Sequence, residues 1–222
     1  MADPRARLRG LYAVTPEGLD TDTLLARVQQ ALAGGAALVQ YRAKAVSPAV
    51  ALEQARAIAL ACRARGALFI VNDSVDLAQA SGADGVHLGR EDADPRLARV
   101  RLPGAIIGVS CYAQPARAAK AAQDGADYVG VGSVFVSSTK PSAQRAPLAA
   151  IAAAREAAGL PVAAIGGITP ANAQEAVDAG ADMLAVISSL FDAPDVTAAA
   201  RALANCYDSR RPLHGEPQRR AV

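Results

Sequence analysis

Tryptophan is absent from the 222-residue chain, and with three Phe and five Tyr the aromatics reach only 4% of residues, against 52% hydrophobic overall. The apolar content is therefore mostly Ala, Val, Leu and Ile, a helix-rich composition that excludes a disordered chain. Cysteine is scarce as well. Cys62, Cys111 and Cys206 stand far apart without a Cys-x-x-Cys, and two histidines are too few for a zinc site. Disulfide-stapled and zinc-built folds are thereby excluded, and a reducing cytoplasm is the expected location. No apolar segment follows Met1-Ala-Asp-Pro-Arg5, so no signal peptide is expected. Long apolar runs are missing too. The longest uncharged stretch, Ala157 to Gln174, is broken by Gly159, Pro161, Gly166, Gly167 and Pro170 and cannot span a bilayer as a helix.

A large excess of one charge is also lacking, since 23 Lys and Arg face 21 Asp and Glu. Residues 1–10 hold +2 and residues 209–222 hold +3, so of the +2 total the body, residues 11–208, carries −3. A folded nucleic-acid-binding domain keeps its positive charge on the body, so no nucleic-acid partner is expected. The two ends are expected to be a flexible N-terminal segment and a poorly ordered basic C-terminal tail. A homo-oligomer is left open.

What the chain has in quantity is a repeated design: a glycine, a small residue or two, then a short β-rich run. It occurs at Gly35-Ala-Ala-Leu-Val-Gln40, Gly66-Ala-Leu-Phe-Ile-Val71, Gly82-Ala-Asp-Gly-Val-His-Leu88, Gly125-Ala-Asp-Tyr-Val-Gly-Val131, Gly159-Leu-Pro-Val-Ala-Ala-Ile165 and Gly180-Ala-Asp-Met-Leu-Ala-Val186. With Leu11–Val14 and Ile106–Val109 these make eight strand candidates, whose runs scarcely alternate, as in parallel strands covered on both faces. Ala-rich stretches of helical period lie between them over Pro48–Arg65, Pro115–Asp124, Pro147–Ala158 and Pro170–Ala179, each with Pro near its start. Eight units in 222 residues average about 28 each, the spacing of a single-domain (β/α)8 TIM barrel over residues 11–208. A dinucleotide-binding sheet would need G-x-G-x-x-G after its first strand, and Val14 is followed by Thr15-Pro-Glu-Gly18.

In such a barrel, chemistry sits just past the strand ends. There the sequence places Gln40, Arg42 and Lys44; Asn72 and Asp73; His87 to Asp92; Ser110; Ser137, Ser138, Thr139 and Lys140; Gly166 and Gly167; and Ile187, Ser188 and Ser189. Gly166-Gly167 and Ile187-Ser188 occupy the positions where barrels bind phosphate through backbone N–H groups, although a glycine pair also serves an ordinary tight turn. Arg42, Lys44 and Lys140 form a cationic set beside Asp73 and Asp92. Acidic and basic groups on one rim suggest a divalent cation bridging carboxylates to a diphosphate, with the three cations offsetting the rest of its charge.

The ordered series Tyr12-Ala-Val-Thr15, Gln40-Tyr-Arg-Ala-Lys44, Asn72-Asp73, Gly85-Val-His-Leu-Gly-Arg-Glu-Asp92, Gly108-Val-Ser110, Thr139-Lys-Pro141 and Ala164-Ile-Gly-Gly-Ile168 resembles the thiamine-phosphate synthase family over about residues 11–192. The resemblance implies a transferase that joins 4-amino-5-hydroxymethyl-2-methylpyrimidine diphosphate to a thiazole phosphate and releases diphosphate. It implies that Gln40, Tyr41, Arg42, Ala43, Lys44, Asn72, His87, Ser110 and Lys140 line the pyrimidine diphosphate site. Of these, Arg42, Lys44, Ser110 and Lys140 take the catalytic part. Asp73 and Asp92 bind Mg2+, and Ser137, Ser138, Thr139, Gly167, Ile187 and Ser188 hold the thiazole phosphate. No side-chain nucleophile is required, so Cys62 and Cys111 need no catalytic role.

Three positions depart from the family pattern: Ala43 where Glu is usual, Ser137 where Thr is usual, and Arg90 where Gln is usual. Arg90 either lies beside the diphosphate or turns to solvent. His87 either packs beside the pyrimidine or simply ends its strand. The loop Ser137–Arg145, rich in Ser, Gln and Pro, is expected to close over substrate. Two other readings remain: a thiazole tautomerase of related fold, which would not need the aspartates and cations together, and a non-catalytic protein binding thiamine precursors.

Overall fold

A strand covered on both faces needs an apolar side chain at nearly every position, and the short runs read from the sequence meet that demand. The computed structural model describes residues 4–44, 46–136 and 144–207. The runs form β1 (Gly10–Val14), β2 (Ala36–Tyr41), β3 (Leu68–Asn72), β4 (Gly85–Leu88), β5 (Ile106–Ser110), β6 (Tyr128–Gly132), β7 (Val162–Ile165) and β8 (Met183–Val186). All pair in parallel and in chain order, and β8 returns to β1, closing the barrel.

The helices between them are α1 (Thr21–Ala33), α2 (Pro48–Arg65), α3 (Val75–Ser81), α4 (Pro95–Arg101), α5 (Pro115–Gln123), α6 (Ala149–Ala158), α7 (Ala173–Asp178), α8 (Ser188–Phe191) and α9 (Val196–Ala204). α2 has the bounds expected from its proline and its glycine, with Gly66 closing it in the left-handed conformation (φ 66°). α6 and α7 begin later than expected, because Pro147 and Pro170 lie in the turns ahead of them; Ala150 N already bonds Pro147 O at 2.8 Å.

Alternation along each strand divides the apolar side chains between two cores. Tyr12, Leu38, Ile70, Ile106, Tyr128 and Met183 are among those filling the barrel interior. Leu11, Val39, Phe69, Val86, Ile107 and Val129 are among those packed against the helices. The interior takes the Tyr128 and His87 rings because nearby positions on β5 and β6 are glycine. A Cβ on Gly108 would lie 2.1 Å from the Tyr128 ring, and one on Gly130 3.3 Å from the His87 ring.

Part of the N-terminal segment, residues 4–8, has regular structure and packs against the barrel. Residues Pro4–Arg7 form a turn of 3-10 helix, and Leu8, only 4% exposed, joins the interior cluster from below. An apolar plug is more stable inside the barrel mouth than in water, and Arg5, paired with Asp127 at 2.5 Å, ties the segment down. The tail expected over residues 209–222 lies outside the described residues.

The Gly-Ala-Asp repeat has a structural role at the same end. Asp84, Asp127 and Asp182 each accept a 2.8 Å hydrogen bond from the backbone N–H of Phe69, Ile107 and Val162, at the starts of β3, β5 and β7. Arg99 and Arg155 then neutralise Asp127 and Asp182. The repeat therefore fastens neighbouring strands at the face away from the chemistry, where barrel residues serve stability. Asp182→Ala should strand the Val162 N–H and lower unfolding free energy by about 1–3 kcal/mol in a denaturant titration, with turnover per folded molecule unchanged.

Candidate active site

At the opposite face, the strand ends bring residues far apart in sequence onto one rim. Thr15, fully buried, locks the β1–α1 segment to the end of β2: its N–H donates to Gln40 O, and its Oγ1 accepts from Arg42 N, both at 2.9 Å. β2 stops at Tyr41, so Arg42 and Lys44 do not continue a strand face and take separate partners. Arg42 pairs with Glu17 Oε1 at 2.6 Å, and Lys44 Nζ lies 3.5 Å from Asp73 Oδ2. Glu17 carried no signal in the sequence, being an acidic residue in a loop.

Tyr41 and Ala43 are corrections. A residue between two inward-facing neighbours must face outward, and Tyr41 does: it is 2% exposed in the helix-side core and its hydroxyl donates to Gln54 Oε1 of α2 at 2.6 Å. Burial pushes that hydroxyl up to about 12. Ala43 likewise packs against the helix-side core. Neither side chain faces the rim.

Asp73 follows β3 in the left-handed region (φ 65°), a conformation that Asp tolerates better than most residues. Its N–H donates to His87 O at 2.8 Å, fixing the turn. Asp92 is fixed as well, its Oδ2 accepting from Gly89 N at 2.6 Å. The Asp73 carboxyl is held above the usual carboxylate range, first by burial and then by the adjacent Asp92 carboxyl, with Lys44 pulling the other way. Two facing carboxylates with one nearby lysine form an oxygen-only donor set short of positive charge, which suits a hard divalent cation. No cluster of three or more His, Cys, Asp or Glu able to hold a metal occurs among the described residues.

Between these groups a polar thread crosses the apolar interior. Gln40 Nε2 reaches Tyr12 Oη at 2.8 Å, Tyr12 Oη reaches Tyr128 Oη at 2.7 Å, and Tyr128 Oη reaches His87 Nδ1 at 2.9 Å. His87 Nε2 then lies 2.9 Å from Ser110 Oγ. Burial brings the imidazole down to about 4, against the pull of Asp92, so it is neutral at pH 7. Tyr128 carried no signal, since its run read as core. Cys111 beside Ser110 is buried and pushed up to about 12, which leaves it an inert thiol. Arg90 is exposed, and its guanidinium lies 5.0 Å from the centre of the exposed Tyr112 ring, with Arg117 at 5.7 Å from the same ring.

On the other side of the barrel, Gly166 and Gly167 adopt φ 102° and 64°. The segment after β6 crosses them so closely that a Cβ on Gly167 would lie 2.1 Å from Val136 O. Ile187 and Ser188 open α8 beside them, where Ser189 Oγ donates to Ile168 O at 2.5 Å. The glycine pair thus serves a close crossing of two segments. Ser137, Ser138, Thr139 and Lys140 lie outside the described residues, with most of the loop expected to close.

The rim thus gathers Gln40, Arg42, Lys44, Asn72, Asp73, His87, Asp92 and Ser110 on β2–β5 and Gly167, Ile187 and Ser188 on β7–β8. Comparison with known proteins identifies the family. The family described as thiamine monophosphate synthase matches residues 11–190. A thiamine-phosphate synthase of Aromatoleum aromaticum is 53% identical over 207 residues, 93% of this chain and 100% of that protein. One of Chromobacterium violaceum is 56% identical over 92% of this chain and 99% of that protein. The solved thiamine phosphate pyrophosphorylase of Pyrococcus furiosus superimposes with a TM-score of 0.83 at 37% identity, covering 92% of this chain and 97% of the other. Among the three readings open from the sequence, the synthase is the one these relatives support, and the chain belongs to the thiamine monophosphate synthase family.

Proposed function

We propose that the rim joins 4-amino-5-hydroxymethyl-2-methylpyrimidine diphosphate to a thiazole phosphate, and that Asp73 and Asp92 hold a Mg2+ ion while Arg42, Lys44, Ser110 and Lys140 receive the departing diphosphate. The observation that carries this reading is the Asp73–Asp92 pair beside Lys44 at the end of β3 and β4. The donor set fits: two carboxylates of one site, with Asp73 held above its usual range, are relieved when a cation sits between them. When bound there, Mg2+ supplies positive charge to the diphosphate oxygens.

The chain's own residues do the rest. The bond from the pyrimidine methylene to the diphosphate oxygen breaks with its electron pair going to oxygen, and the thiazole ring nitrogen supplies the pair for the new carbon–nitrogen bond. No proton need be removed from that nitrogen, which agrees with a rim that offers no activated nucleophile. What is needed is stabilisation of negative charge on the leaving group, and fixed cations aimed at it provide that. Thr15 and Glu17 hold Arg42 for this purpose. Gly167, Ile187 and Ser188 take the thiazole phosphate through backbone N–H groups and a hydroxyl. No helix among the described residues is long and apolar enough to cross a membrane, and we take the enzyme to act on dissolved substrates in the cytoplasm. Incubation with both substrates and Mg2+ should yield thiamine phosphate and diphosphate in equal amounts; binding of both without product would overturn the assignment.

Two variants sharpen it. Asp73→Asn and Asp92→Asn should each lose about 100-fold or more in kcat. A carboxyl whose pKa is raised by folding holds its proton more tightly folded than unfolded, so its ionised form costs stability at neutral pH. Asp73→Asn should therefore melt at an unchanged or higher temperature in EDTA; a lower melting temperature would mean that Asp73 is a structural residue. Glu17→Gln frees the Arg42 guanidinium, and KM for the pyrimidine diphosphate should rise by about two- to fivefold with kcat nearly unchanged.

A further inference from the structure

The pairing of β4 with β5 ends at Leu88 and Val109, and both chains then run on into the rim. The next residues across, Gly89 and Ser110, are joined by a side chain instead. Arg117 donates from Nε to Ser110 O at 2.8 Å and from Nη2 to Gly89 O at 3.4 Å, the second being the longer and weaker bond. Both nitrogens belong to one planar guanidinium, so the two carbonyls are held by a rigid fork. The Tyr112 ring lies against the same group, its centre 5.7 Å from the guanidinium carbon. Arg117 stands in the first turn of α5, where a cation meets the positive end of the helix dipole and gains nothing from the helix. Its partners, not its helix, account for its place.

Those partners lead to a carboxylate. Gly89 N donates to Asp92 Oδ2 at 2.6 Å, and the approach is so close that a Cβ on Gly89 would lie 2.9 Å from that oxygen. One residue therefore ties its carbonyl to β5 through Arg117 and its N–H to Asp92. The base of this linkage is fixed, since α5 buries Ala118 and Ala121 against the barrel.

We propose that Arg117 is a positioning residue that fixes the Gly89–Asp92 turn against the end of β5 and so sets where the Asp92 carboxylate stands relative to Ser110. The proposal rests on the functional reading given above, in which Asp92 holds Mg2+ and Ser110 receives the diphosphate. Charge and geometry make opposite demands here. A cation near Asp92 repels a divalent ion, so by charge alone its removal would tighten Mg2+ binding. A clamp that holds a metal ligand in place favours the metal, so its removal weakens binding.

The substrate-free protein gives the first readout. In Arg117→Met, amide hydrogen exchange at pH 7 followed by NMR should speed up by about tenfold or more at Gly89 relative to Val39 and Val129, whose buried strands report global opening. A rise of equal size at all three would mean general destabilisation and would overturn the proposal. In turnover, the Mg2+ concentration for half-maximal rate should rise by about tenfold, with KM for the thiazole phosphate within about twofold. An unchanged or lower Mg2+ requirement would also overturn it. Arg117→Lys keeps the charge but replaces the fork by one nitrogen, and it guards against Arg117→Met failing to fold. It should depart from the parent in the same direction by about threefold or more in both readouts. Parent values in Arg117→Lys would make charge rather than geometry the cause and overturn the proposal. A parent protein that forms no thiamine phosphate, while Arg117→Met still frees Gly89 alone, would remove the functional reading and leave the clamp standing.

Discussion

The repulsion between Asp73 and Asp92 is the interaction around which the rim is arranged. Burial first, and then the adjacent Asp92 carboxyl, hold Asp73 above its usual range. The backbone enforces the placement from both sides: Asp73 sits in a left-handed turn anchored to His87 O, and Asp92 is anchored to Gly89 N. Lys44 offsets part of the charge from 3.5 Å. This charge balance is what supports the proposed divalent cation and, through it, the proposed anionic leaving group.

Holding such groups still requires a rigid frame, and the closed sheet provides it with few large side chains. Gly108 and Gly130 leave room for Tyr128 and His87, so scarcity of aromatics in the sequence coexists with three rings, those of Tyr12, Tyr128 and His87, in the barrel centre. Those rings bring hydroxyl and imidazole groups into an apolar interior, where each must find a partner. The thread from Gln40 to Ser110 is the result. At the far face, the aspartates of the Gly-Ala-Asp repeat fasten β3, β5 and β7 to their neighbours, and Leu8 fills the mouth.

Strands and barrel closure were legible because a parallel strand buried on both faces has an apolar signature and a glycine before it. The rim positions of Asp73, Asp92, Arg42 and Lys44 were legible because these residues follow strand ends. The Tyr41 side chain was misplaced because a motif names consecutive residues, whereas a strand turns alternate ones to opposite faces; Ala43, past the end of β2, packs against the helix-side core. Glu17, Tyr12 and Tyr128 could not be picked out, since their roles depend on partners 25 to 116 positions away. The N-terminal segment was read by charge alone, and the burial of Leu8 outweighed that charge.

A crystal structure of the protein with the pyrimidine diphosphate and Mg2+ tests the central claim most directly. The account predicts one Mg2+ bound by Asp73, Asp92 and a diphosphate oxygen, with Arg42 and Lys44 on the same diphosphate. A diphosphate seated away from both aspartates, with no metal between them, would contradict it.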